Sequence, residues 1–209
     1  MDVREKLIES AARVFAEAGY RGATTRRIAQ EAGVNEITLF RHFGNKDALL
    51  SEAVRIHGAP EQAMFELPER PVDPVAELGE WCRAQHAFLL ERRSLIRTCM
   101  GVLDEHPDMG HPAKSHPQTT VATLADYFVR VRRAGLTEQQ FDPAAPAWLL
   151  LATVFGDAMW RGILPEMYGE SAEQAIDEYV RLTLASIGVA PLGARAVAGE
   201  TDAPQARTA

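Results

Sequence analysis

Residues 23–43 read ATTRRIAQEAGVNEITLFRHF, and their punctuation decides the fold. Thr24 is a hydroxyl cap for a short helix whose Ile28, Ala29 and Ala32 fall on one apolar side. Ala29 is small where two helices must cross closely, and Gly33, four residues on, stands where the chain reverses. Asn35 then caps a second helix that carries Leu39 and Phe43 inward. Two short helices joined through a glycine turn, with Ile28, Val34 and Leu39 as their apolar seam, make a helix-turn-helix.

Outward from this motif the punctuation stays helical. Asp2 with Glu5 three residues later forms a capping box, and Leu7, Ala11, Val14, Phe15 and Ala18 follow at helical spacing. Gly19 is predicted to end that helix. Asn45 caps another, with Leu49, Leu50, Ala53 and Val54 apolar, and Gly58 with Pro60 closes the unit. Four prolines between Ala59 and Pro74 make a connection. Longer helices are predicted from Asp73-Pro74 to about Arg92, from Ser94 to about Glu105, from Val121 to Ala134, from Asp142-Pro143 to Trp160, and from the Ser171/Gln174 capping box to Gly188. His106 to Pro117, rich in Pro, Gly and His, is predicted as a loop. No alternating strand pattern bounded by hairpin turns occurs, so the fold class is all-α. The division is a three-helix helix-turn-helix unit over 1–58, a larger helical domain over 59–189, and a tail over 190–209 predicted to be disordered.

Composition narrows the function. The chain has 209 residues, 46% hydrophobic and 24% charged, the balance of a globular protein with a sizeable core. Its net charge of −7 argues against indiscriminate coating of nucleic acid or anionic membrane. The acidity is uneven: residues 1–50 hold eight Lys or Arg against seven acids, and the remainder carries −8. Cys82 and Cys99 are too few and too far apart for a disulfide framework or a CxxC metal site, which suits a reducing cytosol. The N-terminus lacks the apolar core of a signal peptide, and Ala144 to Gly156, free of charge, falls short of the roughly 18 residues of a membrane span, so a cytoplasmic protein with no membrane partner is expected. His106, His111 and His116 with Asp108 match no zinc-ligand spacing; no metal and no cofactor is predicted. No Ser-His-Asp set, Walker loop, HExxH pair or paired carboxylates on one helical face supports an enzyme.

Thr25, Arg26 and Arg27 at the start of the supporting helix, with Thr38, Arg41, His42 and Lys46 on or after the second, occupy positions able to meet a phosphate backbone. The ordered series Phe15 to Gly19, Ala23 to Ala29, Ala32-Gly33-Val34, Thr38 to Phe43 and Asn45 to Leu50 resembles the tetracycline-repressor-like (TetR-like) bacterial transcription regulators over the first quarter of the chain. The resemblance implies that Thr25, Phe40, His42 and Lys46 meet the DNA backbone while Arg26, Glu36, Ile37 and Thr38 face base edges. Chemistry supports this: Arg26 can grip guanine O6 and N7, Glu36 can accept from cytosine N4, and Ile37 can touch a thymine methyl. The sequence departs from the family at Phe40, usually tyrosine, and at Ile37, often small. Modest non-specific affinity is therefore expected.

The resemblance further implies a homodimeric repressor on a palindromic operator, released by a small-molecule effector bound in the second domain. Trp81, Cys82, His86, Arg97, Met100, Phe128, Phe155 and Met159 are the candidate effector contacts, from a wider interleaving that includes Cys99 and Trp148; burial in a core accounts for the aromatics equally well. The helix through Leu149, Leu150, Leu151, Val154 and Phe155 and the last helix are expected to pack on a two-fold mate through Leu150, Val154, Tyr179 and Thr183. The alternative functions are a protein-binding helical adaptor and a small helical enzyme without DNA binding.

Overall fold

The computed structural model describes residues 1–58, 66–106 and 110–189, with the backbone alone over 110–116. Among these residues the regular structure is helical throughout, and no helix is long and apolar enough to cross a membrane. The 59–65 part of the proline-rich connection, Asp108 and the 190–209 tail lie outside the described residues.

Four helices form the first unit: α1 (Val3–Gly22), α2 (Thr25–Glu31), α3 (Glu36–Phe43) and α4 (Lys46–His57). The Asp2/Glu5 capping box opens α1 as expected. Gly19 interrupts it with φ 68°, but the Ala23 N–H still reaches the Gly19 carbonyl and one more turn runs to Gly22, so Gly19 kinks the helix rather than ending it. Thr24, Asn35 and Asn45 each accept a backbone N–H at the start of α2, α3 and α4.

Beyond them run α5 (Pro74–Glu91), α6 (Arg93–Met100), α7 (Gly110–Arg133), α8 (Ala144–Trp160) and α9 (Ala172–Ser186), the last opened by the Ser171/Gln174 capping box. α6 is shorter than predicted, giving way to turns over 101–105. The predicted loop over 106–117 is corrected, because α7 starts at Gly110 and carries Pro117 inside it. That proline has no N–H for the helical ladder. The helix persists around it because packing of α7 on α4 and α8 outweighs local propensity.

Two cores result. Phe15, Ile28, Leu39 and Leu50 centre the first, which also takes in Leu95 and Cys99 from α6. Leu78, Phe88, Tyr127, Leu150 and Val180 centre the second, built by α5, α7, α8 and α9. Inside this second core Asp157 of α8 is only 1% exposed. His86 Nε2 lies 2.9 Å from its Oδ1, Arg161 donates through Nε at 2.9 Å and Nη2 at 2.5 Å, and Tyr179 donates through its hydroxyl at 3.0 Å. Burial pushes the Asp157 carboxyl up, and the hydrogen bonds from Arg161, His86 and Tyr179 outweigh it, holding the group below its ordinary value.

A carboxyl depressed on folding stabilises above its unfolded pKa, and that contribution fades as pH falls through the folded value. Asp157→Asn is therefore expected to cost about 3 kcal/mol at neutral pH, since it removes the charge that Arg161 pairs with and turns one of the two acceptor oxygens into an amide donor. Urea titrations of both proteins should show the gap narrowing below the ordinary carboxylate value of 3.8; a gap constant with pH would contradict the assignment.

Candidate nucleic-acid interface and the adjoining cavity

The turn between α2 and α3 is set by Gly33, at φ 68°, and by the Val34 N–H reaching the Ala29 carbonyl at 2.9 Å. With Ile28, Ala29 and Leu39 buried beneath it, the turn leaves the outer side of α3 in solvent. Ile37, Phe40 and Arg41 fall at i, i+3 and i+4 and so share that side. Ile37 is 67% exposed and Phe40 46%, much apolar surface for eight residues of helix. Arg26, Arg41 and His42 are exposed as well, and no carboxylate pairs with Arg26 or Arg41 among the described residues.

The other candidates have partners within the chain. Thr25 Oγ1 donates to Glu36 Oε1 at 2.5 Å, tying the start of α2 to the start of α3. Arg27 pairs with Glu17 at 3.2 Å. Thr38 is half-buried beside them. Lys46 Nζ donates to the Tyr20 carbonyl at 2.9 Å and lies 3.6 Å from the Tyr20 ring centroid; burial pulls its pKa down against the opposing effect of Asp47. Tyr20, which the sequence reading did not single out, also donates to Asp47 at 2.5 Å and stacks on His106 with centroids 3.7 Å apart. Burial and then the Asp47 bond push the Tyr20 hydroxyl up to about 12. His106 thus packs against the first unit, while the side chains of His111 and His116 are not described.

Behind the helix-turn-helix lies a cavity of about 380 Å³, within the range of small-molecule sites. α4 contributes Val54 and its C-cap Gly58, α5 Gln85 and Leu89, and α6 Leu95, Ile96, Cys99 and Met100. Pro117 and Thr120 of α7 and Trp148, Leu151, Ala152 and Phe155 of α8 complete the wall, with Leu103 from the turn after α6. Of the candidate effector contacts only Met100 and Phe155 line it. Trp81, Cys82, Phe128 and Met159 are corrected to core positions, because their burial completes the packing of α5, α7 and α8. His86 is held by Asp157, and Arg97 donates to the Met159 carbonyl at 2.5 Å. Gln85 was missed, although its i+3 spacing from Cys82 and i−4 spacing from Leu89 put it on the buried side of α5.

The predicted dimer residues need the same correction. Leu150, Val154 and Thr183 are buried inside this chain's own core, so none offers surface to a mate, and Tyr179 is half-buried with its hydroxyl on Asp157. The exposed apolar residues of α8 and α9 are Trp148, Leu149, Trp160 and Leu182.

Residues 7–53 match the bacterial regulatory proteins, tetR family, and residues 76–187 the AefR-like transcriptional repressor, C-terminal domain. The chain is 25% identical over 153 residues to the uncharacterised HTH-type transcriptional regulator YvkB of Bacillus subtilis (strain 168), a match covering 73% of this chain and 79% of that protein. It is 38% identical over 80 residues to the HTH-type transcriptional repressor AcnR of Corynebacterium efficiens; this spans 32% of the chain and 43% of AcnR, less than half of that repressor. A transcriptional regulator from Rhodococcus sp. Rha1 has a similar structure, with TM-score 0.73 and 25% identity over 90% of this chain and 99% of that one. SmeT, the repressor of the Stenotrophomonas maltophilia multidrug efflux pump SmeDEF, shares the fold with TM-score 0.68 at 24% identity, covering 90% and 94%.

A Cβ built on Gly33 meets nothing within 4 Å, so the whole cost of a side chain there is the left-handed backbone. Gly33→Ala should lower stability by about 1 kcal/mol or somewhat more. It would be seen as a lower urea midpoint at unchanged slope, and an unshifted midpoint would remove the turn's claim to need glycine.

Proposed function

The chain belongs to the tetR family of bacterial regulatory proteins and is a transcription regulator rather than an enzyme, and we propose that it works as a cytoplasmic homodimeric repressor that leaves a palindromic operator when a small molecule enters the cavity. Residues 1–58 are the DNA-reading unit in this account and 59–189 the effector and dimer domain. Repression is the direction favoured by the likeness to AcnR and to the AefR-like repressor domain.

The observation that carries the reading is the exposed side of α3. Ile37 and Phe40, left in solvent beside Arg41 and Arg26, supply apolar contact for thymine methyls and a bidentate grip for guanine. Arg27, His42 and Lys46 take phosphates, Lys46 by exchanging the Tyr20 carbonyl for a phosphate oxygen. Thr25, Glu36 and Thr38 act from the junction of the two helices, Glu36 positioned by its bond from Thr25.

Two such units spaced by about 34 to 36 Å read successive major grooves. Leu149 and Trp160, whose eleven-residue spacing puts them on one side of α8, with Leu182 of α9 form the exposed apolar surface we assign to the mate. The ligand acts through the cavity wall, where Val54 belongs to the helix that Lys46 begins and Gly58 caps its end. A compound that binds the released arrangement tenfold better than the DNA-bound one shifts the balance tenfold.

Selection from random duplex DNA should enrich a two-fold symmetric site whose affinity falls as salt rises. On that site Arg26→Ala should cost about 1–3 kcal/mol and relax one base position, while Lys46→Ala should weaken all sequences alike and reduce the salt slope by about one. Indifference to both substitutions, or no symmetric site, would sink the DNA-reading assignment. For the dimer face, the pair Leu149→Glu and Leu182→Glu should turn the protein into a folded monomer by sedimentation, with operator binding lost; a dimer surviving both charges would place the interface elsewhere.

A further inference from the structure

Gln85 is 1% exposed on α5, lines the cavity, and its Oε1 is buried without a hydrogen-bond partner. Buried polar atoms are satisfied in the great majority of cases, and an orphan carries the full desolvation penalty, so this one calls for an explanation. Its neighbour His86 does not supply one, because that ring is committed to Asp157. The remaining polar side-chain groups on the wall, among the described residues, are the Thr120 hydroxyl, the Cys99 thiol and the Trp148 indole N–H, and no Asp, Glu, Lys, Arg or His lines it. Burial pushes the Cys99 thiol up, so it brings no charge either. Trp148 and Phe155 add aromatic surface, and Leu89, Ile96 and Leu151 aliphatic surface.

Resting on the effector reading above, we propose that this cavity selects an uncharged, flat, largely apolar molecule bearing one hydrogen-bond donor, a hydroxyl or N–H received by Gln85 Oε1. A charged molecule finds no counter-ion among the described residues of this wall and loses its hydration on entry. An apolar molecule without a donor fits but leaves Oε1 orphaned, whereas a donor repairs it, and that difference is the source of selectivity.

Calorimetric titration of the full chain near neutral pH with 2-naphthol, 2-methoxynaphthalene and 2-naphthoate separates these cases. The naphthol is expected to bind about tenfold more tightly than the methyl ether, and the carboxylate most weakly. Gln85→Leu should erase the preference for the naphthol while still binding the ether, which shows the cavity intact; Gln85→Met serves if the leucine variant does not fold. Leu89→Trp, which fills the cavity, should abolish binding of all three. Equal binding of naphthol and ether to the natural sequence, a preference that survives both Gln85 variants, tightest binding of the carboxylate, or no binding at all would each overturn the proposal. Release of the selected DNA is scored separately. A donor preference without release keeps this ligand class and removes the effector reading, and release without a donor preference does the reverse.

Discussion

The burial of Leu95 and Cys99, two side chains of α6, in the core of the first four helices is the contact on which the rest of the arrangement depends. α6 follows α5 after the single residue Arg92, yet these side chains pack with α1 and α4 and also line the cavity. Burying a leucine contributes roughly 1.5 to 3 kcal/mol, so α6 cannot leave the first core without a cost comparable to a large part of a domain's stability. The helix therefore moves with the first unit or not at all. Arg92 reinforces the joint, its Nε donating to the His57 carbonyl at the end of α4 at 2.8 Å while its guanidinium covers the Phe88 ring.

Opposite this joint the cavity has a wall that cannot yield. α5, α8 and α9 are held together by Asp157, which answers His86, Arg161 and Tyr179 at once. Breaking a buried ionic cluster on one side costs several kcal/mol, which would come off the affinity of any ligand that required it. In the proposed release, a ligand that needs room takes it from the α4 and α6 side, where the wall residues Val54, Leu95, Ile96 and Met100 are apolar and the Arg97 bond to the Met159 carbonyl is a polar tie to be given up. In the proposed release, this difference between the two sides is what turns occupancy into movement of the first unit. The Tyr20–His106 stack lies on the same route, since the turns after α6 end at His106 and the Tyr20 carbonyl holds Lys46.

Legibility in the sequence followed the range of the interactions. Capping boxes at Asp2 and Ser171, caps at Thr24, Asn35 and Asn45, and the turn at Gly33 act within three or four residues, so the sequence shows them directly. The start of α7 did not show, because Pro117 argues locally for a loop and only packing against α4 and α8 overrules it. Site residues followed the same rule. Exposure of Ile37 and Arg26 comes from local periodicity, but Trp81, Phe128, Leu150 and Val154 look alike whether they face a ligand, a mate or their own core. Gln85 was harder still, since an orphaned carbonyl is a property of its neighbours, and nothing at position 85 announces it.

The cations of the first unit explain why the protein can work with so little positive charge. Arg4, Arg13 and Arg27 are engaged with Glu52, Glu31 and Glu17, all in pairs at least partly open to solvent. Such pairs are worth about 0 to 1 kcal/mol, so a phosphate can replace the carboxylate at small cost, but each exchange also yields little net affinity. In the proposed function a single unit is then a weak reader, and its discrimination rests on the side of α3 that bears Ile37, Phe40 and Arg41. In that proposal, weakness in the single unit is what makes release possible: when two weak contacts are joined, affinity depends on both being engaged together. A change of spacing that costs one of them removes most of the binding, and the first unit, moving with α6, needs to shift only far enough to do that.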